Sequence, residues 1–229
     1  MGLPAKLTSV HKWIGVVVGI QILLWVAGGL VMSAFPIELV RGETQAARIE
    51  PTPIGADELG IELASALATT GPVTVLATVR VADRLYLRAD RVGQPPVLID
   101  ARDGRIIEAI DEVTARLVAD RDFTGTGRIV AAELAAETAS EYRGALPVWR
   151  IRFDDARRTA IYVSPATGQV VARRNDVWRL YDFFWMLHIM DYKERVDFNH
   201  ALLIGASALA LVLAASGFWL LFYRVRLRR

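Results

Sequence analysis

Three histidines are the residues of this chain best suited to chemistry, because an imidazole nitrogen can bind a metal or carry a proton near neutral pH. His188 and His200 lie at the approach to the last long apolar segment, and His11 lies just before the first. Ionisable residues at membrane segments are rare and usually functional. These three residues are therefore the candidate cofactor ligands.

A b-type haem is the cofactor that two of these imidazoles would suit, because axial histidine pairs hold haem iron and tune its potential. His188 and His200 lie near the same end of the last apolar segment, and a turn at 191–197 would fold one toward the other. His11 lies at the opposite side of about 30 Å of hydrocarbon. It would therefore need a second ligand from another chain.

Two alternatives concern the same residues. Met186, His188 and Met190 are soft copper(I) donors, but His188 points away from the helix face that the two methionines share, so copper is disfavoured. The other alternative is that the histidines bind nothing. His11 and His200 fall at headgroup depth, where an imidazole needs no ligand, and His188 would hydrogen-bond inside an interfacial helix.

Hydrolytic and nucleotide-dependent chemistry have no support in the sequence. The motifs H-E-x-x-H, G-x-S-x-G and the phosphate-binding loop do not occur. No histidine lies between His11 and His188 to serve as a general base. The chain has no cysteine, which excludes disulfides, thiolate-bound zinc, iron–sulfur clusters and covalently attached c-type haem. A protein without catalytic activity is favoured.

Two long apolar segments must position the histidines. Segments 13–35 and 199–223 are each long enough to cross a hydrocarbon core of about 30 Å as a helix. The first is longer than the apolar part of a signal peptide and lacks an A-x-A-like site, so we predict an uncleaved signal anchor. The chain is thus predicted to pass through a membrane twice.

Charge is segregated along the chain, and the segregation predicts its orientation. All 25 acidic residues lie between Pro36 and Asp197, whereas the flanks 1–12 and 224–229 carry only basic charges. Short basic flanks stay in the cytoplasm, so both termini are predicted there, with the middle of the chain on the outer face. The overall pI of about 9.1 is then a signal of orientation, and nucleic-acid binding is not expected.

Small and aromatic residues indicate how the apolar segments meet their surroundings. Gly15 and Gly19 share a helix face with G-x-x-x-G spacing, which allows a second helix to approach closely. The last segment has small residues of its own, namely Gly205, Ala206, Ala210 and Ala214. Segment 176–198, with a helix over Asp176–Met190, carries rings expected at headgroup level, namely Trp178, Tyr181, Phe184 and Trp185. The small residues either pack the two segments together or receive another membrane protein.

The middle of the chain predicts two copies of a small α+β unit, at 56–108 and 109–175, after an extended linker at 36–55. The best internal match pairs VLIDARDGRII with IYVSPATGQVV, each an apolar strand, a turn ending in glycine and a second strand. Helical spacing is predicted at 56–68, 113–119 and 129–139, and strands at 73–81, 85–89, 97–99, 105–107, 148–153, 160–163 and 169–171. Each copy would be a helix covering one face of an antiparallel sheet.

The chain resembles the PepSY-associated transmembrane family. IYVSPATGQVV, with its Pro-x-Thr-Gly turn, resembles a PepSY domain, and HKWIGVVVGIQILLWVAGGL and WRLYDFFWMLHIMDY resemble the membrane segments of that family. His11 matches the histidine of the family's H-[KR]-W-x-G pattern. The resemblance implies a bacterial inner-membrane protein with a periplasmic PepSY module. Larger four-span relatives include haem-bearing ferric and siderophore reductases, and soluble PepSY modules occur as inhibitory propeptide domains.

Three functions follow as expectations. The leading one is an accessory or regulatory inner-membrane subunit that docks on a larger membrane complex or on copies of itself. The second is a haem b electron-transfer protein that supports ferric reduction through His188, His200 or His11. The third, peptidase inhibition by the PepSY module, depends on analogy of the domain alone. Only two apolar segments occur here, in contrast to the four of the reductases.

Overall fold

The computed structural model describes residues 3–48, 52–60 and 63–226. The chain divides into a helical unit, formed by Met1–Pro36 and Leu180–Arg229, and a central unit, Ile37–Arg179. The helices are α1 Leu3–Ala34, α2 Ile37–Val40, α3 Leu63–Ala68, α4 Glu112–Asp122, α5 Asp176–Ile189 and α6 Ala201–Arg226. The strands are β1 Val73–Val81, β2 Arg84–Arg91, β3 Val97–Asp100, β4 Ile106–Ile107, β5 Ile129–Ala135, β6 Val148–Phe153, β7 Ala160–Val163 and β8 Val170–Arg174.

Two helices of the helical unit are long and apolar enough to cross a membrane. The candidate spans are Lys6–Ala34 within α1 and Ala201–Arg226 in α6, with mean hydropathies of 2.3 and 2.2. Each exceeds the roughly 20 residues that a bilayer crossing needs. Two apolar helices near the ends of the chain, predicted from hydropathy, are therefore confirmed.

The central unit holds two four-stranded antiparallel sheets, β1-β2-β3-β4 and β5-β6-β7-β8, each with its strands in sequence order. The two glycine turns predicted to match are built alike. Gly104 N donates to Asp100 O at 3.0 Å, and Gly168 N donates to Ser164 O at 2.8 Å. Both glycines have a φ near +70°, which glycine adopts at little cost. The α+β character of this segment is confirmed.

Small residues let α4 pack closely into the main core of the central unit. Ala115 and Ala119 are fully buried and share a cluster with Leu98 of the first sheet and Ile151 and Ile161 of the second. A second cluster places Ala66 of α3 beside Leu87, Val97 and Ile99. Helix α4 thus packs with residues of both sheets, and Ala66 of α3 packs with the first sheet, whereas the two repeats themselves stay a prediction.

The prediction of a helix at 129–139 is wrong. Residues Ile129–Ala135 form β5, which pairs with β6 so that Ala132 lies opposite Ile151. The run IVAAELA contains good helix formers, but the exposed edge of β6 offers it a hydrogen-bonded partner. Tertiary pairing outweighs a local preference that amounts to less than about 1 kcal/mol per residue.

Two further segments differ from the prediction. The helix predicted at 56–68 is found only as a 3₁₀ turn at Ala56–Glu58 and as α3. Residues 61–62 lie outside the described residues. Gly60 N donates to Ala101 O at 2.9 Å, which takes this backbone out of the helical path. The linker 36–55 is not extended throughout, because it contains α2 and a 3₁₀ turn at Glu43–Gln45.

Candidate functional site

The carboxyl end of α5 is held by side chains of α1. The last carbonyls of a helix have no partner within the helix, and leaving them unpaired away from water is costly. Gln21 Nε2 donates to Leu187 O at 3.0 Å, and Trp25 Nε1 donates to His188 O at 2.8 Å. These bonds account for the amide of Gln21 within an otherwise apolar segment.

His200 binds the next carbonyl and also begins α6. Its Nε2 donates to Ile189 O at 2.9 Å, and its Nδ1 accepts from Leu203 N at 3.3 Å. The two bonds select the tautomer with the proton on Nε2, and the second bond is that of a helix N-cap. Both ring nitrogens are therefore engaged, and haem ligation by His200 would require at least the bond from Leu203 N to break.

His188 has a different environment. Its Nδ1 is buried and has no hydrogen-bond partner among the described residues. Its ring lies 6.3 Å from that of Trp25, centroid to centroid, with the planes tilted by 53°. His188 therefore offers a buried nitrogen to which no described residue is hydrogen-bonded.

His11 lies at the other end of the helix pair. Its Nδ1 lies 2.8 Å from Ser216 Oγ, and that hydroxyl donates to Leu213 O at 2.9 Å. Because a hydroxyl carries one proton, Nδ1 must be the donor in the first bond. His11 lies about 21 Å from Trp25 along α1, at about 1.5 Å per residue. The structure thus brings His188 and His200 to one end of the unit and leaves His11 at the other.

The small residues divide into those between α1 and α6 and those that face open space. A Cβ at Gly15 would lie 3.6 Å from Leu213, and one at Gly217 would lie 3.1 Å from His11 Cε1. At Gly19 and Gly205, apart from the neighbouring residues and the backbone of the same helical turns, no heavy atom of the described chain lies within 4 Å of such a Cβ. Beside the contact runs an open groove of about 690 Å³, which Ala210 and Ala214 line together with Gly15 and Gly217. Ala206 is half-buried.

The predicted interfacial rings make contacts within the protein. Trp185 Nε1 donates to Arg195 O at 3.1 Å, and Arg195 pairs with the buried carboxylate of Asp182. Phe184 packs against Gly28, at 3.6 to 3.9 Å from the position of a Cβ there. In the central unit the Arg174 guanidinium lies 4.3 Å from the centre of the Trp178 ring. Tyr181 is half-buried. Their position at a membrane surface stays a prediction.

Asp191 organises the turn between α5 and α6. Its carboxylate accepts four backbone N–H groups at 3.0 to 3.2 Å, from Lys193, Glu194, Val196 and Asp197. Desolvation would raise the pKa of Asp191, but these bonds favour the charged form and hold the pKa at about 2. The turn that carries His200 back to Ile189 is therefore ordered by an ionised carboxylate at neutral pH.

The central unit has a charged recess of about 340 Å³, lined in part by Glu58, Asp83, Arg84 and Arg102. Arg80 forms two bonds to Glu58, at 2.7 and 2.9 Å, and hydrogen bonds from Arg80 and from Gly55 N hold the pKa of Glu58 at about 2. The lining charges thus include a carboxylate already engaged by an arginine.

Sequence reasoning missed several residues that build these sites. No sequence motif marks Ser216, Gly217 or Trp25, because each of them contacts a residue far along the chain. The lone amide of Gln21 in an apolar segment was the available signal. In the part of the chain that the structure describes, no group of three or more His, Cys, Asp or Glu residues is placed to hold a metal ion.

Comparisons with protein-family models, with curated proteins and with solved structures find no match for this chain. The resemblance to the PepSY-associated transmembrane family therefore stays a prediction.

Proposed function

We propose that this chain is an accessory or regulatory subunit of a bacterial inner membrane, without catalytic activity of its own. Its two apolar helices would span the membrane with both termini in the cytoplasm, and the central unit would meet a partner in the periplasm. The observation that carries the proposal is that polar side chains in and beside the apolar helices form hydrogen bonds within the helical unit. Gln21, Trp25 and His200 serve the end of α5, and His11 bonds Ser216.

Such a subunit needs a face that another membrane protein can approach. Gly205 is exposed, and apart from its own helical turns no heavy atom of the described chain lies within 4 Å of the position of its missing Cβ. Ala214 lies nine positions further along α6, which is about 900° of helical rotation, so the two residues lie on opposite sides of α6. Because small residues allow close approach of helix backbones, the Gly205 side would receive a transmembrane helix of the larger complex.

Photo-crosslinking in native membranes tests this face. A crosslinking amino acid at Leu209, one turn from Gly205 on the same side, is expected to yield one defined adduct with another membrane protein. The same probe in a Gly205→Leu background should lose that adduct, because the added side chain blocks close approach.

Leu211 provides the control, since it is 71% exposed and lies on another side of α6. No adduct is expected from position 211. Equal adducts from both positions, or an adduct that survives Gly205→Leu, would contradict the proposed docking face.

Haem b binding is the second candidate, and one observation favours it. His188 Nδ1 is buried without a partner among the described residues, beside the ring of Trp25. An imidazole nitrogen left open in an apolar setting is a suitable axial ligand. Because both nitrogens of His200 are engaged, a second ligand would come from a rearranged His200 or from another chain.

An absorption spectrum of the purified protein decides between the two candidates. The accessory function predicts a flat dithionite-reduced minus oxidised spectrum for protein produced with ample haem. A b-type α-band with near-stoichiometric haem in a pyridine haemochrome assay, lost in His188→Ala, would establish the second candidate instead.

A further inference from the structure

We propose that the groove between α1 and α6 binds one anionic phospholipid, with an acyl chain along the groove and the phosphate beside Lys12. The groove runs along the helix pair from His11 and Lys12 at one end to Trp25 and Val26 at the other. At about 1.5 Å per residue, the distance from Lys12 to Val26 is about 21 Å. This length exceeds one half of a hydrocarbon core of about 30 Å.

The length and lining of the groove suit an acyl chain. A volume of about 690 Å³ over a length of about 21 Å leaves room for an extended hydrocarbon chain along the helix pair. The walls are apolar beyond His11 and Lys12, with Ile22, Leu213 and Phe218 among them. A single hydrocarbon chain matches this shape and polarity.

Charge specifies the headgroup. Lys12 lines one end of the groove, and Lys6, Arg224 and Arg226 lie at the same end of the antiparallel helix pair. The sequence has no Asp or Glu before Glu38 and none after Asp197, so neither helix supplies a carboxylate to neutralise these cations. A basic cluster at the end of a membrane helix attracts an anionic lipid headgroup.

The polar end of the groove is built by specific contacts. The bond from His11 Nδ1 to Ser216 Oγ fixes the imidazole against α6. Gly217 permits this approach, since a Cβ there would lie 3.1 Å from His11 Cε1. These contacts join α1 and α6 at the end of the groove that Lys12 lines. The site is thus separate from the Gly205 face and from the open nitrogen of His188.

Native mass spectrometry of the detergent-purified full chain tests the inference. The protein is offered phosphatidylglycerol or phosphatidylcholine with identical acyl chains. We expect one phosphatidylglycerol per chain, retained in preference to phosphatidylcholine. Lys12→Gln should weaken phosphatidylglycerol binding about fivefold, the factor for about 1 kcal/mol per cation at a charged surface, and should leave phosphatidylcholine binding unchanged. Lys6→Gln, which removes a cation outside the groove lining, is the charge control and should have a smaller effect.

A second pair of variants tests the groove itself. Ala214→Leu fills the groove from an exposed position and should remove retention of the lipid, whereas Ala215→Leu, the same change outside the groove lining, should not. Equal retention of the two lipids, or equal retention by wild type and Lys12→Gln, would overturn the proposal. So would an Ala214→Leu variant that loses a co-purifying polypeptide while its lipid retention is unchanged, since the occupant would then be a partner helix.

Discussion

Replacing Ile151 with alanine is expected to lower the free energy of unfolding of the central unit by about 2–5 kcal/mol. Ile151 is 0% exposed on β6 and belongs to the cluster that joins Leu98, Ala115 and Ile161. The smaller side chain loses apolar burial and leaves a cavity between α4 and the second sheet. Since a domain of this size is stabilised by only about 5–15 kcal/mol in total, the change removes a large share of its stability.

Urea unfolding of the detergent-solubilised full chain measures this effect, with hydrogen–deuterium exchange of the β6 amides as the readout within the central unit. Val130→Ala is the matched control, because Val130 lies on the neighbouring strand β5 and is 61% exposed. It should change stability by no more than about 0.5 kcal/mol. Equal shifts for the two variants would show that Ile151 does not lie in the core.

Replacing His200 with alanine is expected to loosen the end of α5 and the start of α6 together. The variant loses the donor to Ile189 O and the N-cap of α6, at a cost of about 1–3 kcal/mol for the unpaired carbonyl and about 1 kcal/mol for the cap. Ile189 is 3% exposed, so water offers its carbonyl little compensation. Amide exchange in the last turn of α5 should then be at least about tenfold faster.

His200→Asn separates the two bonds. Asparagine is a good N-cap but is too short to replace the imidazole bond to Ile189 O. In the His200→Asn variant, amide exchange should therefore become faster at the end of α5, while the amides in the first turn of α6 stay protected. If His200→Ala leaves exchange unchanged in both segments, the hydrogen bonds of His200 do not stabilise the unit, and its imidazole is free for another role.

The chain shows which kinds of feature sequence patterns predict well. Hydropathy indicated both long helices because a bilayer imposes length and composition residue by residue. Paired apolar runs around Gly104 and Gly168 indicated both sheets because a tight turn with positive φ needs glycine at a specific place. The prediction of a helix at 129–139 was wrong because helix preference is a local quantity, whereas the strand Ile129–Ala135 is stabilised by a partner strand elsewhere in the chain.

The candidate functional surfaces depend on tertiary structure more than the helices and sheets do. The three histidines stand out in the sequence because imidazoles near apolar segments are rare, but the sequence does not say which nitrogen is engaged. That His200 bonds Ile189 O, that His11 bonds Ser216 and that no described residue bonds His188 Nδ1 follow from the packing of separate helices.

By itself the sequence determined the two apolar helices, the α+β character of the middle and the flanks without acidic residues. Each of these features depends on the composition or spacing of residues that are neighbours in the chain. Only the tertiary structure decided the capped end of α5, the groove beside Lys12 and the open face at Gly205. The physical reason is that a hydrogen bond or a groove depends on distances of a few ångströms between helices, and spacing along one helix does not set those distances.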